Sequence, residues 1–341
     1  MTVAIERYKG EGGEWNARVR AQAGWTHFHL YEWRGVIERV FGHECVYLGA
    51  RDGQGALTGV LPLVRVRSRL FGHYLVSMPF VNYGGPLGDE ESVRALADHA
   101  LALARDGAVK LLELRSRVQL PIALPVSHRK VTTLLDLPAD PDALWKALGA
   151  KLRSQIKRPQ KDGVEVRFGL DQVEPFFAVF AEHMRDLGTP TQPKALFQAA
   201  ADAFGEDAWF GCAYLGGRAI ACGAGFRWGG EFEMTWASAL SAYNRVAPNM
   251  LLYWEFMRRA VAERVGVFNF GRSTPGAGTH RFKRQWGSRD EPLWWYQHAR
   301  GGTTGTPSPD DAAYAWGPRL WRRLPLPVAT ALGPRIVRCI P

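Results

Sequence analysis

The sequence has no long apolar run, few cysteines and no cluster of metal-ligating side chains. Nowhere in its 341 residues does an apolar stretch approach the roughly 18 residues that a membrane-spanning helix needs. The first residues also lack the basic start and apolar stretch of a signal peptide, so we expect a cytoplasmic protein. The four cysteines stand far apart without C-x-x-C spacing, and the nine histidines supply no clustered ligands. We therefore expect reduced thiols and no metal site.

The composition is that of a packed globular protein. Hydrophobic residues make up 46% of the chain and charged residues 22%, and 341 residues are enough for two domains with a core each. Lysine and arginine exceed aspartate and glutamate by 43 − 33 = 10. This surplus favours an anionic partner, such as nucleic acid, a nucleotide cofactor or an acidic membrane surface, and does not choose among them.

The hydrophobic periodicity predicts the same succession of helices and strands twice. In each half, helices precede strands joined by glycine-rich turns, and a further helix and strand complete the unit. Such an order is typical of an α+β fold with mostly antiparallel sheets rather than of strict βαβ alternation. We predict a first domain over residues 1–133, a second over 134–300, and a linker with a basic amphipathic tail over 301–341. Within the second domain, Pro159 predicts that the basic helix over 151–161 is kinked or broken.

The most informative stretch is residues 268–287. A short apolar strand ends at Gly271, Arg272 and Ser273 follow at its mouth, and a glycine-rich turn leads into a basic helix that carries Lys283. Glycine lets backbone N–H groups approach an anion, and a helix N-terminus adds partial positive charge. Lys283 or Arg272 can supply the fixed cation that stabilises negative charge developing on a carbonyl or phosphate. The alternative is a surface loop whose cations are merely solvated.

Five segments together resemble the FemAB-like proteins, in particular the branch associated with exosortase and exopolysaccharide loci. The family's C-terminal signature is approximately F-D-F-G-R-S, a Gly/Thr-rich turn and Y-R-F-K-x-x-W-G, and this chain has its counterparts at 268–273 and 280–287. The family's basic segment, its P-N-x-L-x-W-E helix start and a motif of the first half have counterparts at 152–158, 248–255 and 79–85. The resemblance therefore extends over parts of both halves.

This resemblance implies two tandem GNAT-like domains and transfer of an acyl group to an amine or hydroxyl. The better understood relatives move an amino acid from aminoacyl-tRNA to a peptidoglycan precursor, and the lysine of their F-K-x-x-[FW]-G motif is thought to stabilise charge near the scissile ester. That lysine corresponds to Lys283. Asn269 replaces the family's aspartate and His280 its tyrosine, and a histidine is the kind of side chain that can act as a base. The catalytic candidates are Lys283, Arg272 and His280, and the nearest substrate-binding candidates are Ser273 and Gly271.

Three further substrate-binding candidates lie outside this stretch. Arg153 belongs to the basic segment 151–161, one face of which can grip tRNA phosphates or a pyrophosphate, although most such charge runs are only solvated. Tyr243 and Asn249 lie at a helix start, where residues often line clefts. Acetyl-CoA enzymes of this fold hold the pyrophosphate on a glycine-rich loop before this helix, whereas residues 245–250 contain a proline and no glycine. This weakens the case for a CoA site built in the usual way.

The tail over residues 305–341 mixes tryptophan and leucine with arginine. The mixture suits contact with an anionic membrane surface, which would make the protein peripheral at the inner face of the cytoplasmic membrane. It equally suits packing back onto the enzyme through the apolar face, and the sequence does not decide between the two.

We predict an acyl- or aminoacyltransferase that acts on an amine or hydroxyl of a cell-envelope or polysaccharide precursor. The donor is aminoacyl-tRNA or acyl-CoA, an anionic partner in either case, and we expect no tightly bound cofactor. One alternative is an acyl-CoA-dependent N-acetyltransferase with an atypical cofactor loop. The other is a non-catalytic binding protein of an export or exopolysaccharide locus, for which the departures at Asn269 and His280 argue.

Overall fold

A computed structural model describes residues 3–68, 71–301 and 316–340 of the chain. The elements up to residue 130 are β1 (Ala4–Arg7), α1 (Gly12–Arg20), α2 (Glu32–Phe41), β2 (Glu44–Arg51), β3 (Leu57–Ser68), β4 (Gly72–Ser77), β5 (Leu87–Gly88), α3 (Glu90–Asp106), β6 (Leu111–Ser116) and β7 (Val126–Ser127). The elements that follow, up to residue 301, are β8 (Val131–Asp136), α4 (Pro141–Ala147), α5 (Ala150–Lys161), β9 (Glu165–Phe168), α6 (Val173–Leu187), α7 (Lys194–Phe204), β10 (Ala208–Leu215), β11 (Arg218–Trp228), β12 (Glu231–Ala239), α8 (Pro248–Ala262), β13 (Val267–Ser273), α9 (Gly278–Arg284), β14 (Arg289–Pro292) and β15 (Trp294–Ala299). The tail adds α10 (Trp316–Trp321) and α11 (Leu326–Val337).

The described residues form two compact units, each with its own sheet. The second unit begins at Val131 and ends its main segment at Glu291, and most of the tail belongs to it. This corrects the predicted domains over 1–133 and 134–300, because β8 belongs to the second sheet and β15 to the first. β15 pairs with β6, so the chain returns to the first unit after it has completed the second sheet. Periodicity identifies such a strand but not its partner, since every open sheet edge offers the same backbone groups.

The first sheet has the strand order β1-β2-β3-β4-β6-β15-β7, and β5 pairs with β3. Among the described pairings of this sheet, only β4 and β6 are parallel, with residues 74–76 beside 111–113. α3 connects these two strands, as a parallel pair requires a crossover. Its buried residues recur three and four positions apart, which lets one face of the helix cover the sheet; they are Val93, Leu96, Ala97, Ala100 and Ala104.

The second sheet repeats this plan in the order β14-β8-β13-β12-β11-β10-β9. Here β12 and β13 are the parallel pair, and α8 connects them. α8 begins at Pro248, where a missing N–H removes no helical hydrogen bond, and most of its side chains are buried in the core of the unit. The predicted α+β order, present twice and with mostly antiparallel sheets, is therefore confirmed.

The basic helix α5 runs without interruption from Ala150 to Lys161, so a break at Pro159, one of the two predicted alternatives, is wrong. Pro159 lies in the last turn, where its missing N–H removes only one bond of the helix. Leu152, Ile156 and Pro159 form the buried side, and this side packs against α8. The opposite side of α5 carries its lysines and arginines toward solvent.

The two tail helices pack on the second unit beside the end of α6. Gly333 lies so close to the backbone of Thr191 that a Cβ atom would come within 2.9 Å of its nitrogen, and a Cβ atom at Gly188 would come within 2.6 Å of the carbonyl oxygen of Pro318. Arg322 donates to the carbonyl of Leu187 at 3.3 Å. Most of the predicted linker, residues 302–315, lies outside the described residues. Across the described ranges, no helix combines the length and the apolar character needed to cross a bilayer.

Candidate functional site

The two parallel strands of the second sheet separate after Glu233 and Asn269, where their pairing ends. Beyond these residues β12 continues beside β11, and β13 continues beside β8. A space therefore opens between residues 235–239 of β12 and 270–273 of β13, and we call this space the wedge. It opens toward the carboxyl ends of the two strands, which is where sequence analysis placed the anion site.

The last three residues on the β13 side of the wedge are Gly271, Arg272 and Ser273. Gly271 has a φ of 72°, which residues with a side chain rarely adopt, and its N–H donates to the side-chain oxygen of Asn269 at 2.7 Å. Arg272 is exposed. Ser273 is buried, and its hydroxyl oxygen has no hydrogen-bond partner in the described part of the chain. A buried hydroxyl without a partner is destabilising, so a ligand group that bonds to Ser273 would remove that cost.

Asn269 lies fully buried at the base of the wedge, against two carboxylates. Its amide nitrogen donates to Glu231 at 2.7 Å and to Glu233 at 3.1 Å, and its oxygen accepts from the Thr132 hydroxyl at 2.8 Å. Glu233 is itself fully buried. An aspartate at position 269 would place a third carboxylate against these two, which like-charge repulsion opposes. The amide in place of the family's aspartate therefore fits the pair of glutamates that this chain has on β12.

Lys283 is held inside the protein at the end of β13. Its Nζ atom donates to the backbone carbonyls of Gly271 and Arg272, each at 3.0 Å, and the residue is only 8% exposed. Burial lowers the pKa of Lys283 to about 8, an effect that the negative charge of Glu233 opposes and the positive charge of Arg272 reinforces. The lysine is thus a fixed cation near neutral pH, and its position is set by the two residues that precede Ser273.

His280 fastens the glycine-rich turn to the strand that follows α9. Its Nδ1 accepts the backbone N–H of Gly276 at 3.1 Å, which leaves the ring proton on Nε2, 2.9 Å from a carboxylate oxygen of Asp290. Asp290 also accepts from the Thr133 hydroxyl at 3.3 Å. Both ring nitrogens are therefore engaged, and neither can take a proton from a substrate unless one of these bonds breaks.

The helix that carries Lys283 packs against the first turns of α8. The side-chain amide of Gln285 lies 3.8 Å from the Met250 sulfur, and the rings of Phe282 and Tyr253 meet with centroids 5.0 Å apart. Trp286 is buried among the same aromatic side chains. The start of α8, α9 and the end of β13 therefore form one continuous part of the second unit.

The backbone before α8 has few N–H groups left for a ligand. Those of Val246 and Ala247 donate to the carbonyls of Tyr243 and Asn244 at 2.9 and 3.1 Å, and Pro248 has none. A pyrophosphate at a helix start is held mainly by such N–H groups. The local structure therefore agrees with the sequence argument that a CoA site of the usual kind is weakened here.

The remaining substrate-binding candidates have different surroundings. Tyr243 and Asn249 are half-buried on either side of this turn, so they adjoin the start of α8. Arg153 donates to the carbonyls of Lys146 at 3.3 Å and Leu148 at 2.6 Å, at the end of α4. It therefore caps a helix, and the exposed cations of α5 are Lys151, Lys157, Arg158 and Lys161.

Sequence analysis did not single out Glu231, Glu233, Thr132 or Asp290, although all four bond to site residues. Glu231 and Glu233 are two residues apart in a strand, so their side chains point to the same face of the sheet. This spacing is a sequence signal for a pair of neighbouring carboxylates. Their proximity to Asn269 depends on parallel pairing between residues more than 30 positions apart. Within the described ranges, no three His, Cys, Asp or Glu side chains stand together as metal ligands would.

Comparison with known proteins identifies the second unit first. Residues 148–284 match the family model described as an acetyltransferase (GNAT) domain. The fold is similar to that of FemX, with a TM-score of 0.64 and 14% identity over 87% of this chain and 97% of that one. Residues 148–284 are therefore similar to a GNAT domain, and the fold of the chain is like that of FemX. The match agrees with the GNAT-like second domain that the resemblance of the motifs implies.

Further solved structures are similar in fold over both units of this chain. A tandem GNAT protein from the clavulanic acid biosynthesis pathway has a TM-score of 0.53 and 14% identity, over 89% of this chain and all 100% of that one. The C-terminal domain of a putative lysylphosphatidylglycerol synthetase from Agrobacterium fabrum has a TM-score of 0.57 and 13% identity, over 90% and 95%. A comparison with the curated proteins found no match. The matched GNAT residues include the wedge and Lys283.

Proposed function

We propose that this protein transfers an acyl or aminoacyl group to an amine or hydroxyl of a cell-envelope or polysaccharide precursor, at the wedge of the second unit. One observation carries the proposal: a buried lysine fixed by two backbone carbonyls at the open end of the parallel strands. The GNAT domain match supports acyl transfer as the chemistry. The likeness to FemX and to a putative lysylphosphatidylglycerol synthetase supports an acceptor from the cell envelope.

In this proposal the acceptor attacks the donor carbonyl directly, without a covalent enzyme intermediate. A new acyl–nitrogen or acyl–oxygen bond forms, the bond from the carbonyl to the tRNA 3′ oxygen or the CoA sulfur breaks, and the proton that the acceptor loses goes to this leaving group. An ammonium has three N–H bonds, and two of those of Lys283 are directed to Gly271 and Arg272. The third is available to the donor's carbonyl oxygen, where negative charge develops during attack. Arg272 adds a second positive charge near Lys283, and the Ser273 hydroxyl orients the donor through a hydrogen bond.

Between the two predicted donors, the start of α8 favours aminoacyl-tRNA over acyl-CoA. Of the N–H groups before α8, those of Val246 and Ala247 are used by the turn, and Pro248 has none, which leaves few to hold a CoA pyrophosphate. The exposed cations of α5 offer another place for an anion to bind, since lysines and arginines along one helix can neutralise successive phosphates. We propose that α5 binds the tRNA backbone and that the aminoacyl end reaches the wedge.

The two departures from the family motif do not argue for an inactive protein. Asn269 bonds to both neighbouring glutamates, and His280 bonds to Gly276 and Asp290. Each is therefore integrated in this chain's own network. We propose that His280 is a positioning residue, which holds the turn before Lys283, rather than a base.

The proposal is tested by Lys283→Ala in an assay that follows transfer from charged tRNA or acyl-CoA to amine-bearing envelope precursors. We expect turnover to fall by about 10²–10³, because a fixed cation near the carbonyl oxygen is lost. Lys194→Ala is the matched control, since Lys194 is an exposed lysine that pairs with Glu174 on the surface. Circular dichroism must show that both variants are folded, and near-normal turnover of folded Lys283→Ala would refute the proposal.

A further inference from the structure

The tail helices have an inner side that is fixed to the second unit. Ala329 and Gly333 lie four residues apart on α11 and are both buried, and Gly333 touches the backbone of Thr191. α10 packs against α6, with Pro318 against Gly188. Because both helices dock on the end of α6 and the loop after it, their other sides face away from this unit.

Those other sides carry large apolar side chains in contact with solvent. Leu320 on α10 is 56% exposed, and Val328 and Leu332 on α11 are each 40% exposed. Val328 and Leu332 are four residues apart, so they are neighbours on one helical face. Of the seven exposed large hydrophobic residues in the described ranges, these three lie in the tail and Leu187 lies beside it. Exposed apolar surface is therefore concentrated here, as at a binding surface.

The charge of the tail has a single sign. Residues 316–341 contain no aspartate or glutamate and five arginines, of which Arg319 and Arg322 flank Leu320 and Arg335 follows Leu332 by three positions. All five arginines are exposed. Leucine and valine among arginines combine an apolar group for insertion with cations for an anionic surface.

We propose that the outward side of the tail, formed by Leu320, Val328 and Leu332 with Arg319 and Arg323, is a binding surface for anionic phospholipid membranes. Charge complementarity selects this occupant, because an apolar patch alone suits any hydrophobic partner and a basic patch alone suits nucleic acid. The three side chains are few, so binding is peripheral and reversible. The inference is independent of which acyl group the wedge transfers.

The test is flotation of the full chain with vesicles of equal parts phosphatidylglycerol and phosphatidylcholine, and with vesicles of phosphatidylcholine alone. We expect the protein to float with the anionic vesicles only. Arg319→Gln combined with Arg323→Gln should weaken partitioning about thirtyfold, since each basic residue at the surface contributes about fivefold. Val328→Ser combined with Leu332→Ser should weaken it about tenfold.

Two control variants separate the tail from other surfaces. Lys151→Gln combined with Arg158→Gln removes two exposed cations from α5, and Leu170→Ser removes an apolar side chain that is 48% exposed outside the tail. Both should float like the unaltered chain. The proposal is overturned if the unaltered chain stays unbound, if it binds both vesicle types equally, or if the α5 variant loses binding instead. Self-association that is abolished by the Val328 and Leu332 substitutions, without flotation, would assign the surface to a second copy and overturn it too.

Discussion

The side-chain amide of Asn269 donates a 3.1 Å hydrogen bond to the buried carboxylate of Glu233. The same nitrogen lies 2.7 Å from Glu231, so one neutral residue bridges two acids at the base of the wedge. The position therefore requires a donor, and a carboxylate cannot supply one unless it is protonated. This relationship gives a physical reason for the departure from the family motif.

Restoring the family's aspartate should therefore destabilise this protein. We expect Asn269→Asp to lower the free energy of unfolding by about 2–4 kcal/mol at pH 7.5, because it replaces a donor with a third buried carboxylate. The introduced carboxyl would have a pKa raised by its neighbours, so its protonated form is favoured in the folded state. The loss in free energy of unfolding is then fully present above that raised pKa, and it shrinks as the pH falls through it. Urea denaturation at pH 7.5 and pH 5.5, with Asn269→Ala as the control that adds no charge, measures both effects; a deficit that grows on acidification would contradict the argument.

The pH dependence of turnover should carry the signature of Lys283. Burial lowers the pKa of this lysine to about 8, and the proposed role needs the charged form. The cation is present below that pKa and is lost as the pH rises through it, so kcat/KM should fall by about tenfold per pH unit on the alkaline side. A rate profile between pH 6 and pH 10 measures this. The profile is measured with a hydroxyl-bearing acceptor, because an amine acceptor would itself become more nucleophilic as it loses its proton. An alkaline rise with the hydroxyl acceptor would instead mean that the neutral amine of Lys283 acts as a base.

Donor choice should follow the state of the N–H groups before α8. In thermal-shift titrations, charged tRNA should raise the Tm in a saturable way, whereas acetyl-CoA and longer acyl-CoAs should leave it unchanged. The physical reason is that Val246 and Ala247 have their N–H groups engaged and Pro248 has none. Uncharged tRNA is the control for backbone contacts alone. A saturable rise in Tm with any acyl-CoA, and none with tRNA, would refute aminoacyl-tRNA as the donor and support acyl-CoA.

Much of the fold follows from local sequence signals. The α6 helix, the β10-β11-β12 meander with its glycine turns, and the proline-led α8 all lie where periodicity and turn residues predict them. The sequence does not predict which sheet β8 and β15 join, since this depends on pairing with distant residues. A short strand carries no local mark of its partner.

The candidate site also has parts that the sequence predicts and parts that depend on contacts between distant residues. One motif contains Lys283, Gly271 and Arg272, so the sequence predicts that they belong to one site. The structure places the Lys283 ammonium against the backbone carbonyls of the other two. The engagement of His280 with Asp290 could not be predicted, because it depends on β14 lying beside the turn. The charge of Arg153 predicts contact with an anion, whereas the structure directs its guanidinium to the carbonyls of Lys146 and Leu148 at the end of α4.

Two arginines on α5 allow the structural and the binding contribution of this helix to be separated. The guanidinium of Arg153 bonds to the carbonyls of Lys146 and Leu148, so Arg153→Ala should lower the free energy of unfolding by about 1–2 kcal/mol. Arg158 is exposed on the same helix, and Arg158→Ala should leave stability unchanged while it weakens tRNA binding.

Salt dependence decides whether Arg158 contacts phosphate. The slope of log affinity against log salt concentration is negative. A lost phosphate contact reduces the magnitude of this slope by about 0.7–0.9, because fewer counterions are released on binding. Filter binding of charged tRNA at several salt concentrations, together with urea denaturation of both variants, gives the two readouts. An unchanged slope for Arg158→Ala would remove this residue from the tRNA surface. A slope change for Arg153→Ala without loss of stability would mean that Arg153 contacts phosphate rather than capping α4.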